Sequence, residues 1–210
     1  TSHNIKTGLS LNVDDYDENL GSLPLSRSEV VPGAYFEYTY RWLEHITLMG
    51  GARYDWHSIH GGIFTPRFHA MYCTGEHVAV RASVGKGYRL PSIIAENMYL
   101  LASSRSLTFL EDIALEEAWN YGLNVVQRYH VYGRELAIST DYYRTNFVNQ
   151  LVVDIDSDPS QVLFYNLDGK SYSNSFQAEV SYMPLNQLNV TAAYRLNDVK
   201  VTINDELVDK

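Results

Sequence analysis

From Gly33 to Trp42 the side chains sort by parity: Ala34, Phe36, Tyr38, Tyr40 and Trp42 against Gly33, Tyr35, Glu37, Thr39 and Arg41. Successive side chains of an extended strand point to opposite faces, so this stretch has one apolar and one polar face. The run is about ten residues, roughly twice a common globular strand and long enough to cross a bilayer at a tilt. The same sorting recurs at Ile46, Leu48, Gly50, Ala52, Tyr54, Trp56; at Val78, Val80, Ala82, Val84; and at Trp119, Tyr121, Leu123, Val125. It returns at Leu136, Ile138, Thr140, Tyr142; at Phe176, Ala178, Val180, Tyr182; and at Leu188, Val190, Ala192, Tyr194. Phe64, Pro66, Phe68 and Ala70 carry it more weakly, and residues 5–13 supply a ninth strand. A slip of one residue would exchange the faces, which specifies the register strongly.

The connections alternate too. Short turns are expected at Glu44-His45, residues 73–76, residues 130–133 and Pro184-Leu185-Asn186, with longer connections at 14–30, 57–62, 88–115 and 148–170. If consecutive strands run antiparallel, the short turns gather at one end and the long loops at the other, as in outer-membrane barrels. The fold expected is therefore all-β. It is an antiparallel up-and-down meander of about nine strands, a section of a large transmembrane β-barrel occupying residues 1–210. One long loop carries a short helix over residues 91–101, with Pro91 in its first turn.

Composition narrows the function. Hydrophobic residues make up 45% of the 210, yet no window of 18 apolar residues exists, so no membrane helix is encoded. Seventeen tyrosines and three tryptophans suit sites with one apolar and one wet end. A net charge of −9 without a basic run argues against nucleic acid as a partner. The single Cys73 forms no intrachain disulfide and completes no two-cysteine metal site.

No catalytic, metal or cofactor motif emerges. Asp154, Asp156 and Asp158 begin like a calcium loop, but Pro159 and Tyr165 stand where Gly and Glu are needed, so a solvated acidic turn is expected. His57 and His60 read as an exposed turn pair without further ligands. Gly85-Lys86-Gly87 lacks the rest of a phosphate loop. Glu111, Asp112, Glu116 and Glu117 include carboxylates of the kind glycoside hydrolysis pairs, but nothing in the sequence orients them.

Several ordered strings carry a resemblance: Gly51-Ala52-Arg53-Tyr54-Asp55, Phe64-Thr65-Pro66-Arg67, residues 81–91 (RASVGKGYRLP), Glu96-Asn97, Ala118-Trp119-Asn120-Tyr121-Gly122, Asp141-Tyr142-Tyr143-Arg144 and Tyr165-Asn166. Over residues 31–198 the chain resembles the barrel of TonB-dependent outer-membrane receptors. The resemblance implies a 22-stranded barrel, plugged by a separate N-terminal domain and importing iron–siderophore complexes, cobalamin or a similar nutrient with energy from TonB. It implies a transporter in the bacterial outer membrane, not an enzyme, with lipid, plug, TonB and a small nutrient as partners and no cofactor. Departures are the missing plug, Glu116-Glu117 before the Trp-Asn string, Ser175-Phe176-Gln177 before Glu179, and a polar end at Asp205 to Lys210. A middle-to-late barrel section is expected, self-associating in isolation through open edges near residues 5–13 and 188–199.

In this reading Arg53, Asp55, Arg81, Asp141, Glu179 and Arg195 face the lumen. Ligand contacts are expected on the long loops, from Arg89, Glu96, Asn97, Arg105, Asp154, Asp156 and Asp158, because binding groups concentrate on loops held by a rigid scaffold. The main alternative is a soluble β-sandwich carbohydrate-binding module, whose apolar faces would pack against each other as a core. A carbohydrate-cleaving enzyme ranks last.

Overall fold

The computed structural model describes every residue except 18, 21, 22, 25, 44, 204, 205 and 210. Glu44 of the expected first turn, and Asp205 and Lys210 of the polar end, lie outside the described residues. The strands are β1 (Ser2–Tyr16), β2 (Asn19–Leu20), β3 (Leu23–Pro24), β4 (Arg27–Trp42), β5 (Ile46–His57), β6 (Gly61–Thr74) and β7 (Val78–Arg89). A helix α1 (Ile93–Glu96) and a 3₁₀ turn (Met98–Ala102) precede β8 (Ser106–Phe109), β9 (Glu116–Val131) and β10 (Arg134–Asn149). Then come β11 (Leu151–Asp154), β12 (Gln161–Asn166), β13 (Ser171–Leu185), β14 (Leu188–Ile203) and β15 (Glu206–Asp209).

Ten strands form one sheet in the order β1-β4-β5-β6-β7-β9-β10-β13-β14-β15, every neighbour antiparallel. Nine of them are the long strands expected from parity. They run 12–16 residues, longer than the apolar alternation alone indicates. The extra length comes from connections that turn out to be ladder. Asp14, Asp15 and Tyr16 pair with Glu29, Ser28 and Arg27, and the expected loop at 57–62 shrinks to three residues between His57 and Gly61. Backbone pairing costs nothing in side-chain hydrophobicity, so strands continue into polar sequence above the membrane. The turn between β9 and β10 is two residues, Tyr132 (φ 51°) and Gly133 (φ 73°), the positive-φ pair that matches the twist of a tight hairpin.

The expected helix is broken. Asn97 Nδ2 donates to the Ile93 carbonyl at 2.9 Å, occupying the acceptor that the Asn97 backbone N–H would need, and the chain tightens into the 3₁₀ turn. Beyond it, β8 pairs in parallel with β12, and β12 antiparallel with β11. The two longest connections thus join in a small three-stranded sheet with a core of Leu100, Leu151, Val162 and Phe164. Phe109 stacks on Phe164 at 4.9 Å between ring centroids.

Burial on the large sheet is inverted relative to a soluble protein. The parity set of Ile5, Leu9, Phe36, Trp42, Phe64, Leu123, Tyr194 and Leu196 is exposed, while Glu29, Glu37, Asp55 and His57 on the other face are buried. No second sheet of comparable size lies opposite the apolar face among the described residues, so the sandwich alternative lacks the layer it requires. No described helix is long and apolar enough to cross a membrane, and the exposed apolar rows among the described residues run along the strands.

The apolar band also runs diagonally. One hydrogen-bond row links Ile5, Tyr38, Gly50, Phe68, Val84, Tyr121, Arg144, Asn174 and Asp198. On β1 the band centres near Leu9, on the long-loop side of this row; on β14 it centres near Ala192, on the short-turn side. The drift is about ten residues over eight strand steps; at about 3.3 Å per residue and about 4.8 Å per strand it corresponds to a strand tilt of about 40°. Transmembrane barrels tilt by 35–45°. Trp42, Tyr72 and Tyr129 lie toward one margin of the band and Trp56, Trp119 and Tyr142 toward the other, as aromatic girdles do.

In the intact barrel in lipid, Leu123→Arg at mid-band should destabilise by about 2–4 kcal/mol. Its neighbour Asn124→Arg, on the lumen face, should cost far less. Denaturant titration of both variants in liposomes checks the difference, and equal costs would contradict the assignment of faces.

Candidate functional site

On the lumen face, Asp55 is fully buried and accepts from Arg53 Nε at 2.7 Å and from the Tyr88 hydroxyl at 3.1 Å. Arg53 Nη2 donates to Ser10 Oγ at 2.9 Å, so β1, β5 and β7 are tied across the wall. The Asp55 carboxylate sits in the notch left by Gly33, where a Cβ would lie 1.9 Å from Asp55 Oδ1. Nearby, the buried Glu37 takes Arg67 at 2.7 Å and Lys6 at 3.3 Å. Arg81 donates to Asn124 at 2.9 Å, and Asn124 to Asp141 at 2.7 Å. Glu179 stands opposite Ser139 and Ala193, and Arg195 donates weakly to Asn197 at 3.3 Å. The six charges named from sequence thus divide into a dense cluster on β5 to β10 and an open region on β13 and β14.

Most of the loop residues proposed as ligand contacts are engaged within the loops themselves. Arg89 Nη1 and Nη2 donate to both Glu96 oxygens at 3.1 and 2.9 Å, and Nε donates to Glu116. The other Glu116 oxygen accepts the Leu151 backbone N–H at 3.0 Å. One guanidinium therefore joins the end of β7, the helix, the start of β9 and, through Glu116, β11. Asn97 caps its own helix, and Arg105 Nη1 reaches the Ile155 carbonyl at 2.6 Å across the two loops. Asn166 adds a further brace, giving Nδ2 to Asp112 O and taking the Ala114 N–H, both at 2.9 Å. The carboxylates weighed for hydrolysis are engaged likewise: Glu117 with Lys86 at 2.6 Å, and Glu111 with the Asn166 N–H at 2.7 Å.

The aspartate triplet is a folded turn. Asp154 is buried and accepts the Asp156 and Ser157 N–H groups, both at 3.0 Å, together with the Ser157 hydroxyl. Burial opposes its charge, but these donors prevail and hold its carboxyl below the usual aspartate range. Asp158, held low by the Ser160 hydroxyl and N–H, is half-buried, and Asp156 is exposed. Among the described residues no cluster of three or more His, Cys, Asp or Glu is arranged to hold a metal ion.

The open space at the long-loop end lies elsewhere. A cleft of about 590 Å³ sits between the β5–β6 turn and the 90–115 connection, with Arg27, His60 and Asp112 as its polar lining and Ile59, Leu90 and Ile93 among its apolar lining. The adjoining end of β5 corrects the expectation of an exposed histidine pair. His57 is buried, with Nε2 3.5 Å from Glu29 Oε2 and Nδ1 accepting the N–H groups of Ile59 and His60 at 3.2 and 3.4 Å. The bonds to Nδ1 place the ring proton on Nε2, facing Glu29. Arg27 pairs with Glu29 and lies over the Tyr16 ring at 4.1 Å. His60 is held below the ordinary histidine value, first by burial and then by His57. Arg27 and Ile59 carry no motif, so only the pairing of β1 with β4 and the tight β5–β6 turn bring them together.

Two outcomes follow. Asp154 contributes stability that is complete above the unfolded aspartate value of 3.8 and is lost as pH falls through its lower folded value. Hydrogen exchange at Asp156 and Ser157 should accelerate on acidification below that point, and Asp154→Asn should abolish the dependence. Phe164→Ala should cost about 3–5 kcal/mol of local stability. It should expose residues 90–115 to protease while the heat-modifiable mobility of the barrel persists.

A family model described as "TonB dependent receptor-like, beta-barrel" matches residues 4–209. No curated protein matches the sequence. Among solved structures, the chain is similar to the siderophore receptor PirA of Pseudomonas aeruginosa, with TM-score 0.65 and 15% identity over 95% of this chain and 42% of that one. It is similar to the ferric enterobactin receptor PfeA, with TM-score 0.66 and 14% identity over 96% of this chain and 33% of that one. The siderophore receptor PirA of Acinetobacter baumannii gives TM-score 0.69 and 11% identity over 97% and 38%. The chain thus spans less than half the length of the receptors it matches.

Proposed function

Because the chain belongs to the TonB-dependent receptor β-barrel family, whose members are outer-membrane barrels and not enzymes, we propose that it forms the ligand-facing wall of a receptor that actively imports a scarce nutrient. Iron–siderophore complexes are the substrate class favoured, with cobalamin or a similar compound next. The observation that carries this reading is the tilted sheet itself. Among the described residues no second sheet of comparable size covers its apolar face, its polar face is wired by Arg53-Asp55-Tyr88 and Glu37-Arg67, and a braced cap stands at its long-loop end.

Within this reading the cleft beside His60 receives part of the ligand. Its apolar lining accommodates a hydrophobic or aromatic rim, while Arg27 and His60 face an anionic group. Arg89, Glu96, Asn97 and Asp154 hold the cap in place, so their effect on binding runs through geometry. Arg81, Asp141, Glu179 and Arg195 line the permeation route or meet the plug of the same receptor. TonB engages a part of the receptor outside this section. Separated from lipid, the section self-associates through its apolar face and its β1 edge.

The test is growth of a deletion strain complemented with the intact receptor on defined iron sources, with radiolabelled uptake. Ile59→Asp combined with His60→Ala should lower uptake of the cognate ligand at least tenfold while surface expression stays unchanged. Unaltered uptake would remove the cleft from the binding site, and restoration of growth by no iron complex or corrinoid would overturn the nutrient class.

A further inference from the structure

On β10, β13 and β14 the outward-facing apolar rows end at Tyr142, Phe176 and Leu196, and the next outward residues toward the long loops are Arg144, Asn174 and Asp198. One row farther stand Asn146, Tyr172 and Lys200. This is the same face as the lipid-facing band, at its upper margin, where headgroups replace acyl chains. Charged side chains on that face are costly inside the band and become favourable only at its rim.

Arg144 is held in one orientation. Its Nε donates to Asn146 at 2.8 Å, its Nη1 donates to Asn174 at 3.0 Å, and its guanidinium carbon lies 4.6 Å over the Tyr172 ring. Asn174 is fixed in turn by the Tyr142 hydroxyl at 3.1 Å and by its own bond to Asp198 at 3.0 Å. None of the ion pairs among the described residues includes Arg144, and its Nη2 edge makes no hydrogen bond there. Lys200, across Tyr172, pairs at 3.3 Å with Asp209, which is 84% exposed, so solvent screens this pair.

We infer that Arg144, Tyr172 and Lys200 form an outward seat for the phosphate of an anionic lipid in the leaflet on the long-loop side. A planar guanidinium with two free donors on one edge matches phosphate oxygens in fork geometry, and its fixing by amides and a ring lowers the entropy lost on binding. At this depth on a lipid-facing wall the molecules available to meet it are lipid headgroups. Asp198 does not neutralise Arg144 directly, because Asn174 stands between them. The inference rests on the bilayer-facing assignment of this surface, which the comparison of Leu123 with Asn124 tests separately.

The experiment measures lipid retained by the intact receptor. Extracted in mild detergent and weighed by native mass spectrometry, the wild type should carry a phosphorylated lipid. Arg144→Gln combined with Lys200→Gln should reduce its occupancy at least tenfold, since one cation at an anionic surface changes affinity roughly fivefold. Arg128→Gln, which removes one cation from the lumen face near the short turns, should leave occupancy as it was. Wild-type receptor alone, in nanodiscs of phosphatidylcholine with phosphatidylglycerol, should enrich the anionic lipid, which keeps the test decisive if the double variant does not fold. Equal retention by wild type and double variant, or no enrichment in nanodiscs, would overturn the inference. So would inorganic phosphate binding to the delipidated receptor and displacing the lipid completely, since that describes a site for the free ion.

Discussion

The structure depends on an unbroken antiparallel hydrogen-bond ladder that keeps one parity of side chain on one face through nine long strands. A bilayer core offers no water to backbone N–H and C=O groups, so a strand can cross it only with neighbours on both sides. Register then decides everything else. The row from Ile5 to Asp198 holds without a slip across eight pairings, and the few irregularities fall near strand ends, at Phe147/Asn149 and Tyr182/Leu185. Because the apolar band crosses this row diagonally, tilt and membrane position come from the same constraint.

The inner face solves a different problem. Concave curvature crowds its side chains, so charges such as Glu37 and Asp55 lose water and need partners. Lys6 and Arg67 reach Glu37 from other strands, while Asp55 takes Arg53 from its own strand and Tyr88 from β7. The notch at Gly33 shows how closely the backbone is fitted to this wiring. At the top, Arg89 and Glu116 continue the wiring into a cap with its own apolar core, which turns the two longest connections into one braced body.

Much of this was legible in the sequence, and the failures share a cause. Parity exposed all nine long strands, the two faces and the asymmetry of turns, because strand alternation is a local signal of period two. Strand ends were underestimated at Asp14 to Tyr16 and at Gly61, since a polar residue in a ladder looks like a polar residue in a loop. His57 read as exposed for the same reason; a turn histidine buried against Glu29 leaves no mark on its neighbours in sequence. The aspartates at 154 and 158 accept hydrogen bonds from their own turn, which the spacing of the triplet does not reveal.

The sequence by itself determined a lipid-facing wall of antiparallel strands, its orientation of long loops to one end, and the family to which it belongs. The wall and the orientation of its loops follow from hydrophobicity at alternate positions and from turn lengths, while the family is carried by ordered strings such as residues 81–91; all of these are written in consecutive residues. Only the tertiary structure decided which charges meet, where the cleft lies, and that residues 106–109 pair with 161–164. Most such contacts join residues that are far apart in the chain, and their energies depend on distances and burial that no local pattern encodes.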